Sequence, residues 1–196
     1  MTRAPLRPRL SLSLGRVVAI VAIAGGVVGA RTFWPDQGGH GRGDTSGRGQ
    51  ISGHPRVADG DSLVIDGERL RLSGIDAPEL AQSCRLATMS HPCGDEAKEH
   101  LERLIGGRTV RCEWDRLDKY GRALARCRIG AVDLAAAMAR DGWAIAYGAH
   151  EAEEAEARAH GRGLWSGTFD WPEDFRREAR ERRAAERDTP WWAVWR

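Results

Sequence analysis

Apolar positions change their spacing several times along the chain. Between Val17 and Ala30 they form one nearly continuous run of 14 residues. From Val57 to Ile75, and again over 108–115 and 121–129, they alternate with polar positions as in half-buried strands. Over 94–105, about 132–141 and about 150–160 they recur every three or four residues, as on the inner face of a helix. Val57, Leu63 to Ile65 and Leu70 to Ile75 mark the short strands of the first group. Asp66-Gly67 lies between two of them and predicts a two-residue hairpin turn that needs positive φ. On the strand after it, Leu70 and Leu72 face one way and Arg69 and Arg71 the other. The first helix carries a stripe of Ala97, Leu101, Leu104 and Ile105; Asp95 and Glu96 open it and Gly106-Gly107 stop it. The second helix is stopped by Gly142. The third has Glu151, Glu153, Glu154 and Glu156 early and Arg158 late, a solvated face with a favourable dipole sense and no assigned function. Three strands, a helix, two strands and then helices is the order of a small five-stranded Greek-key barrel with helices attached. The same alternation also fits another small α+β arrangement.

The apolar run is shorter than the roughly 20 residues of a spanning helix. Arg3, Arg7 and Arg9 precede it, and Val28-Gly29-Ala30 supplies small residues for a signal peptidase. Residues 1–30 therefore predict export. Two fates are open. One is cleavage after Ala30, the preferred reading. The other is retention as a signal anchor reaching back through LSLSLG despite Arg16, with membrane contact through residues 10–30. The rest of the chain is placed outside the cytoplasm in both cases, periplasmic or secreted if cut and at the inner membrane if not. Residues 31–50 hold Gly38, Gly39, Gly41, Gly43, Gly47 and Gly49 among polar residues and predict a flexible linker. The domain itself is expected over 51–168, followed by a charged, Trp-rich tail over 169–196. In that tail 173–188 reads as a charged helix, with Trp191, Trp192 and Trp195 beyond it; docking onto the domain is the favoured role, against membrane contact or nucleic-acid stacking. The 196 residues, 41% hydrophobic and 30% charged, suit one principal domain with a real core. A mean hydropathy of −0.49 excludes a multi-span membrane protein.

An exported chain with four cysteines points to two disulfides. The midpoint of Cys112 and Cys127 falls within Asp118-Lys119-Tyr120-Gly121. If that segment is a turn, the two face each other on antiparallel strands at disulfide distance. Cys84 and Cys93 then close a short loop. A zinc site lacks a C-x-x-C pair and a histidine at ligand spacing; free buried thiols are the remaining alternative.

Charge says little about partners. Of the 30 Lys+Arg, only Lys98 and Lys119 are lysines, and the formal net charge is +2. Residues 1–30 hold four arginines and no acid, so without them the balance is −2. A polyanion would have to be met by a local arginine cluster or through a metal. Three segments offer such chemistry: Asp59-Gly60-Asp61-Ser62, Arg71 through Glu79, and Asp118-Lys119-Tyr120-Gly121-Arg122. Carboxylate oxygens suit a hard cation, and the planar fork of arginine fits a phosphate. Together they suit phosphodiester hydrolysis, with a spare carboxylate to activate water. Taken singly, each is also an ordinary turn or surface ion pair.

In their order, VADGDSLVI, RLRLSGIDAPE and DKYGRALA resemble the thermonuclease (staphylococcal nuclease) family, from about Arg56 to Trp165, and GRGLW resembles its closing motif. The resemblance implies a five-stranded barrel of the oligonucleotide-binding (OB-fold) type with three helices. It also implies Ca²⁺-dependent hydrolysis of DNA and RNA that leaves 3′-phosphate ends. Position by position, Asp61, Asp76 and the backbone carbonyl of Ala77 match calcium ligands, with Asp59 nearby and acting through water. Glu79 matches the general base, Arg71 and Arg122 the phosphate-binding arginines, and Lys119 and Tyr120 border the nucleotide site. Residues 80–93 depart from the family's loop after the base; a disulfide-bearing insert takes its place. The segment before DKYGR is also shorter. Trp143 and Tyr147 follow the second helix, and core or rim packing is favoured over base stacking for Tyr147. A monomer with no protein partner is expected. The reading from another class is a non-catalytic nucleic-acid-binding module at the envelope, with the carboxylates serving only the loops.

Overall fold

The computed structural model describes residues 47–188. The expected signal segment, most of the linker, and Trp191, Trp192 and Trp195 lie outside them. Among the described residues no helix is long and apolar enough to cross a membrane.

The strands are β1 (Gly49–Gly53), β2 (Arg56–Asp59), β3 (Ser62–Ile65), β4 (Glu68–Leu72), β5 (Ile75–Asp76), β6 (Cys84–Leu86), β7 (Met89–His91), β8 (Val110–Leu117), β9 (Ala123–Ile129), β10 (Val132–Asp133) and β11 (Ile145–Ala146). The helices are α1 (Cys93–Ile105), α2 (Leu134–Arg140), α3 (Glu151–Ala159) and α4 (Pro172–Asp188), with a 3-10 turn at Gly163–Ser166. The principal sheet runs β1-β8-β9-β4-β3-β2, with β10 beside β9. It is mixed, because β4 and β9 pair in parallel, Leu70 facing Ala123 and Arg71 facing Leu124.

Strands lie where the alternation expected them, except that the one expected through Ile75 ends at Leu72 and Ile75 begins β5 in a separate pair with β11, and the sheet is not the closed five-stranded barrel that was expected. The free edge of β8 is taken by β1, and β2 packs against α1, so the two ends of the path do not pair. β1 reaches back to Gly49, two residues into the segment expected as linker, and Ile51 lies opposite Cys112 and extends the sheet. The three helices expected with the barrel are α1 to α3, and α4 is the charged helix expected over 173–188 of the tail.

Local chemistry accounts for the turns. Asp66 and Gly67 take φ of 48° and 86°, the two successive left-handed residues of a type I′ hairpin. β8 and β9 pair with Cys112 opposite Cys127, and the two are bridged with Cα atoms 4.1 Å apart. The Asp133 carboxylate accepts from the amides of Ala135 and Ala136 and caps α2. The core joins Leu63, Ile65, Leu70 and Leu72 of the hairpin to Leu101, Val110, Leu134 and Met138, all at most 1% exposed. Each large aliphatic side chain so buried contributes about 1.5–3 kcal/mol.

A smaller cluster sits where the 80–93 insert meets the chain after α3. Cys84–Cys93 packs there with Leu164 and Phe169. Arg85 and Thr168 exchange both backbone hydrogen bonds, at 2.9 and 2.8 Å. The insert therefore ties the loop after β5 to the start of α1 and to residues 168–170.

Candidate active site

Three segments meet at one end of the sheet. The β2–β3 turn delivers Asp61, and its amide is held by Asp59 Oδ1 at 3.0 Å. β4 delivers Arg71 on the face away from Leu70 and Leu72. β5 delivers Asp76 and is fixed by pairing with β11, where Asp76 faces Ile145. Asp61 and Asp76 are 3% and 2% exposed.

Arg71 lies between the two acids. Its Nη2 stands 2.8 Å from Asp61 Oδ2 and 2.5 Å from Asp76 Oδ1, and its Nη1 donates to Asp61 Oδ1. Asp61 also accepts from Ser62 Oγ and from the amide of Ala77 at 3.0 and 3.1 Å. Burial nevertheless pushes the Asp61 carboxyl up to about 7, against the pull of Arg71. Burial works against the charge of Arg71 too, but Asp61 and then Asp76 hold its pKa above the ordinary arginine value.

Glu79 follows on the loop after β5. Its amide donates to Gln82 Oε1 and its carbonyl accepts from the Gln82 amide. The Gln82 side chain, 1% exposed, donates in turn to the carbonyl of Asp170 at 2.6 Å. Gly94, at the start of α1, fits beneath this loop: a Cβ there would stand 1.8 Å from the Glu79 carbonyl oxygen. Only glycine permits that approach.

The guanidinium of Arg176, from α4, completes the cluster. It grips Asp76 with both Nη1 and Nη2, at 2.9 and 2.8 Å, and Nη1 also reaches Glu79 Oε1 at 2.9 Å. Hydrogen bonding to Asp76 and then to Glu79 outweighs desolvation and raises its pKa. Sequence reasoning missed this residue. It is one of seven arginines against six acids over 171–196, and nothing in that charged stretch marks it out.

Arg122 is placed differently. It stands at the foot of β9, two residues before Leu124, the pairing partner of Arg71. Its guanidinium is held by Asp118, Nε at 2.8 Å and Nη2 at 2.7 Å, and lies 5.6 Å from the Tyr120 ring centroid. It therefore shares the strand neighbourhood of Arg71 without joining the acidic cluster. Asp118 also accepts from the amides of Tyr120 and Arg122. Partial burial would raise Asp118, but these hydrogen bonds outweigh it and leave the carboxyl below its ordinary value. Lys119 and the exposed Tyr120 sit on this turn, Nζ 5.1 Å from the ring centroid.

A groove of about 400 Å³ runs beside Asp76, lined by Ile145, Tyr147, Trp171, Glu173 and Asp174. Tyr147 is 65% exposed on its rim, whereas Trp143 packs against the core.

Asp61 and Asp76 form a buried, oxygen-only pair sharing one guanidinium nitrogen. Such donors fit a hard divalent cation. Among the described residues no three acidic, histidine or cysteine side chains form a ready metal cage. The rest of a coordination sphere would come from a backbone carbonyl such as that of Ala77, from water and from substrate.

Comparison with known proteins agrees with this geometry. A family profile described as "Staphylococcal nuclease homologue" matches residues 69–167. The chain is 36% identical over 108 residues to "Thermonuclease" of Staphylococcus intermedius, covering 52% of this chain and 62% of the relative. It is 32% identical over 152 residues to "Probable endonuclease LCL3" of Verticillium alfalfae, covering 64% and 52%. It is also 32% identical over 123 residues to "Succinoglycan biosynthesis protein ExoI" of Rhizobium meliloti, covering 59% and 64%. The matched region spans from about a third to just under two thirds of the length of the first of these curated relatives. The profile covers half of the chain and takes in Arg71, Asp76, Glu79 and Arg122, and the chain belongs to the staphylococcal nuclease homologue family.

Proposed function

We propose that the chain is an exported nuclease that hydrolyses phosphodiester bonds in DNA and RNA with the help of calcium. The observation that carries this reading is the Asp61–Arg71–Asp76 cluster with Glu79 on the adjoining loop, in a chain whose relatives include proteins named thermonuclease and endonuclease. Asp61, Asp76 and the carbonyl of Ala77 would hold calcium, with Asp59 acting on it through water. Bound there, calcium supplies positive charge that neutralises the phosphate. Glu79 takes the proton of the attacking water as it approaches phosphorus. Arg71 binds the equatorial phosphate oxygens. Arg122 turns from Asp118 to meet the same charge as it grows, with its fork matched to two oxygens. Lys119 and Tyr120 border the nucleotide. Loss of the 5′ oxygen leaves a 3′-phosphate end. Residues 1–30 carry the protein out of the cytoplasm, to the periplasm, the medium or the outer face of the inner membrane.

The test is incubation of the purified chain with plasmid and with RNA, in calcium and in EGTA. Both substrates are degraded in calcium and spared in EGTA. Degradation in both conditions removes the calcium requirement. No degradation in either favours the non-catalytic binding module.

A further inference from the structure

Arg176 occupies the acids to which the preceding reading assigns a cation and a base. Its guanidinium spends three hydrogen bonds on Asp76 and Glu79. Those carboxylates lie within the matched family region; Arg176 comes from beyond it, nine residues past its end at 167.

The placement of the helix is built into the fold. Pro172 suits the first position of α4. The residues before it are clamped by the Arg85–Thr168 backbone pair and by the bond from Gln82 to Asp170. Trp171 adds edge contacts with Trp165 at 6.4 Å between centroids. The base of α4 is thus fixed, and its second turn brings Arg176 over the acids. Beyond that point the helix faces solvent: Arg177, Glu178 and residues 180–183 are exposed. The Arg177–Asp174 and Arg182–Glu178 pairs stay within the helix. Arg176 supplies the ion pairs that tie α4 to the body. The first turn of α4 also walls the groove beside Asp76 through Glu173 and Asp174.

We propose that α4 is an internal latch: Arg176 competes with the divalent cation for Asp76 and ties up Glu79, and loading the cation releases Arg176 and swings α4 off the groove. This rests on the cation-dependent reading above. Arg71 already stands on Asp76 Oδ1, so a cation arriving at Asp76 must take the room and the charge that Arg176 holds on both oxygens, and cation binding and latch closure oppose one another. Linkage makes the effect reciprocal: whatever removes Arg176 strengthens cation binding, and the cation weakens the seating of α4.

The test uses the full chain freed of metal. Calcium binding is measured calorimetrically for the wild type, Arg176→Ala, Arg176→Gln and the control Arg180→Ala, whose side chain lies outside the site. Trypsin cleavage within α4 is followed by fragment mass with and without calcium. Calcium is expected to bind at least tenfold tighter to both Arg176 variants and unchanged to Arg180→Ala. In the wild type calcium speeds cleavage at Arg177, Arg180, Arg182 and Arg183; in the Arg176 variants cleavage is fast with or without it. Equal or weaker calcium binding by the Arg176 variants overturns the latch and leaves the cation reading standing. Cleavage of wild-type α4 that ignores saturating calcium also overturns it, and needs no variant. Calcium that binds to none of the four proteins overturns both readings.

Discussion

At the scale of single residues, the site depends on how buried charge is compensated. Arg71 serves two carboxylates whose side chains are 4% and 3% exposed, and is itself 18% exposed. Its removal leaves Asp61 without its guanidinium while Asp76 keeps Arg176, and uncompensated buried charge of that kind costs about 3–5 kcal/mol. Arg71→Ala is therefore expected to lower the urea midpoint of metal-free protein by an amount of that order, besides abolishing cleavage. A midpoint within error of wild type would show the acids to be compensated without it. Asp118 gives a pH dependence. Its folded pKa lies below the unfolded value of about 3.8, so its contribution is complete above that value and is lost as pH falls through the folded pKa. The amides of Tyr120 and Arg122 are expected to lose hydrogen-exchange protection in that acid range while the β8–β9 amides keep theirs. In Asp118→Asn the transition should disappear.

At the scale of elements, turns and registers were the legible part. The Asp66-Gly67 turn, the stop at Gly106 and the facing of Cys112 and Cys127 all follow from local chemistry that leaves few alternatives. The mate of Glu79 was not legible. Gln82 reads as a polar loop residue until its side chain is seen spanning from the Glu79 amide to the Asp170 carbonyl. Arg176 was hidden for the same reason: its role follows from a clamp between segments more than 80 residues apart in sequence, and no period or spacing records that. The two disulfides consequently differ in purpose. Cys112→Ala/Cys127→Ala opens a bridge of sequence separation 15 and is expected to cost about 3 kcal/mol with turnover kept. Cys84→Ala/Cys93→Ala loosens the loop that carries Glu79 and is expected to lower kcat as well as stability. Urea unfolding together with plasmid cleavage separates the two; equal kcat for both pairs would contradict the assignment.

At the scale of the whole molecule, the expected barrel and the observed open sheet differ at the ends of one strand path. The alternation that marks strands is blind to which edges close, and β1 shows no alternation of its own, since Ile51 is its one large apolar residue. A ligand that binds only the folded state stabilises it in proportion to its occupancy. Calcium at a hundred times its dissociation constant is therefore expected to add about 2.7 kcal/mol, seen as a melting temperature that climbs with calcium and falls back with EGTA. A melting temperature indifferent to calcium would mean that the folded acids do not take the ion.

The parallel pairing of β4 with β9 has a consequence for biosynthesis. Arg71 lies on β4 and Arg122 just before β9, two strands that pair directly but can meet only after α1 and β8, which separate them in sequence, have been made. A nascent or clipped polypeptide ending before residue 122 carries every acid of the cluster and only one of the two arginines that the proposed mechanism sets on the phosphate. On the proposed nuclease reading, copies that end short of Arg122 are inert, and the cell making the protein is shielded from them.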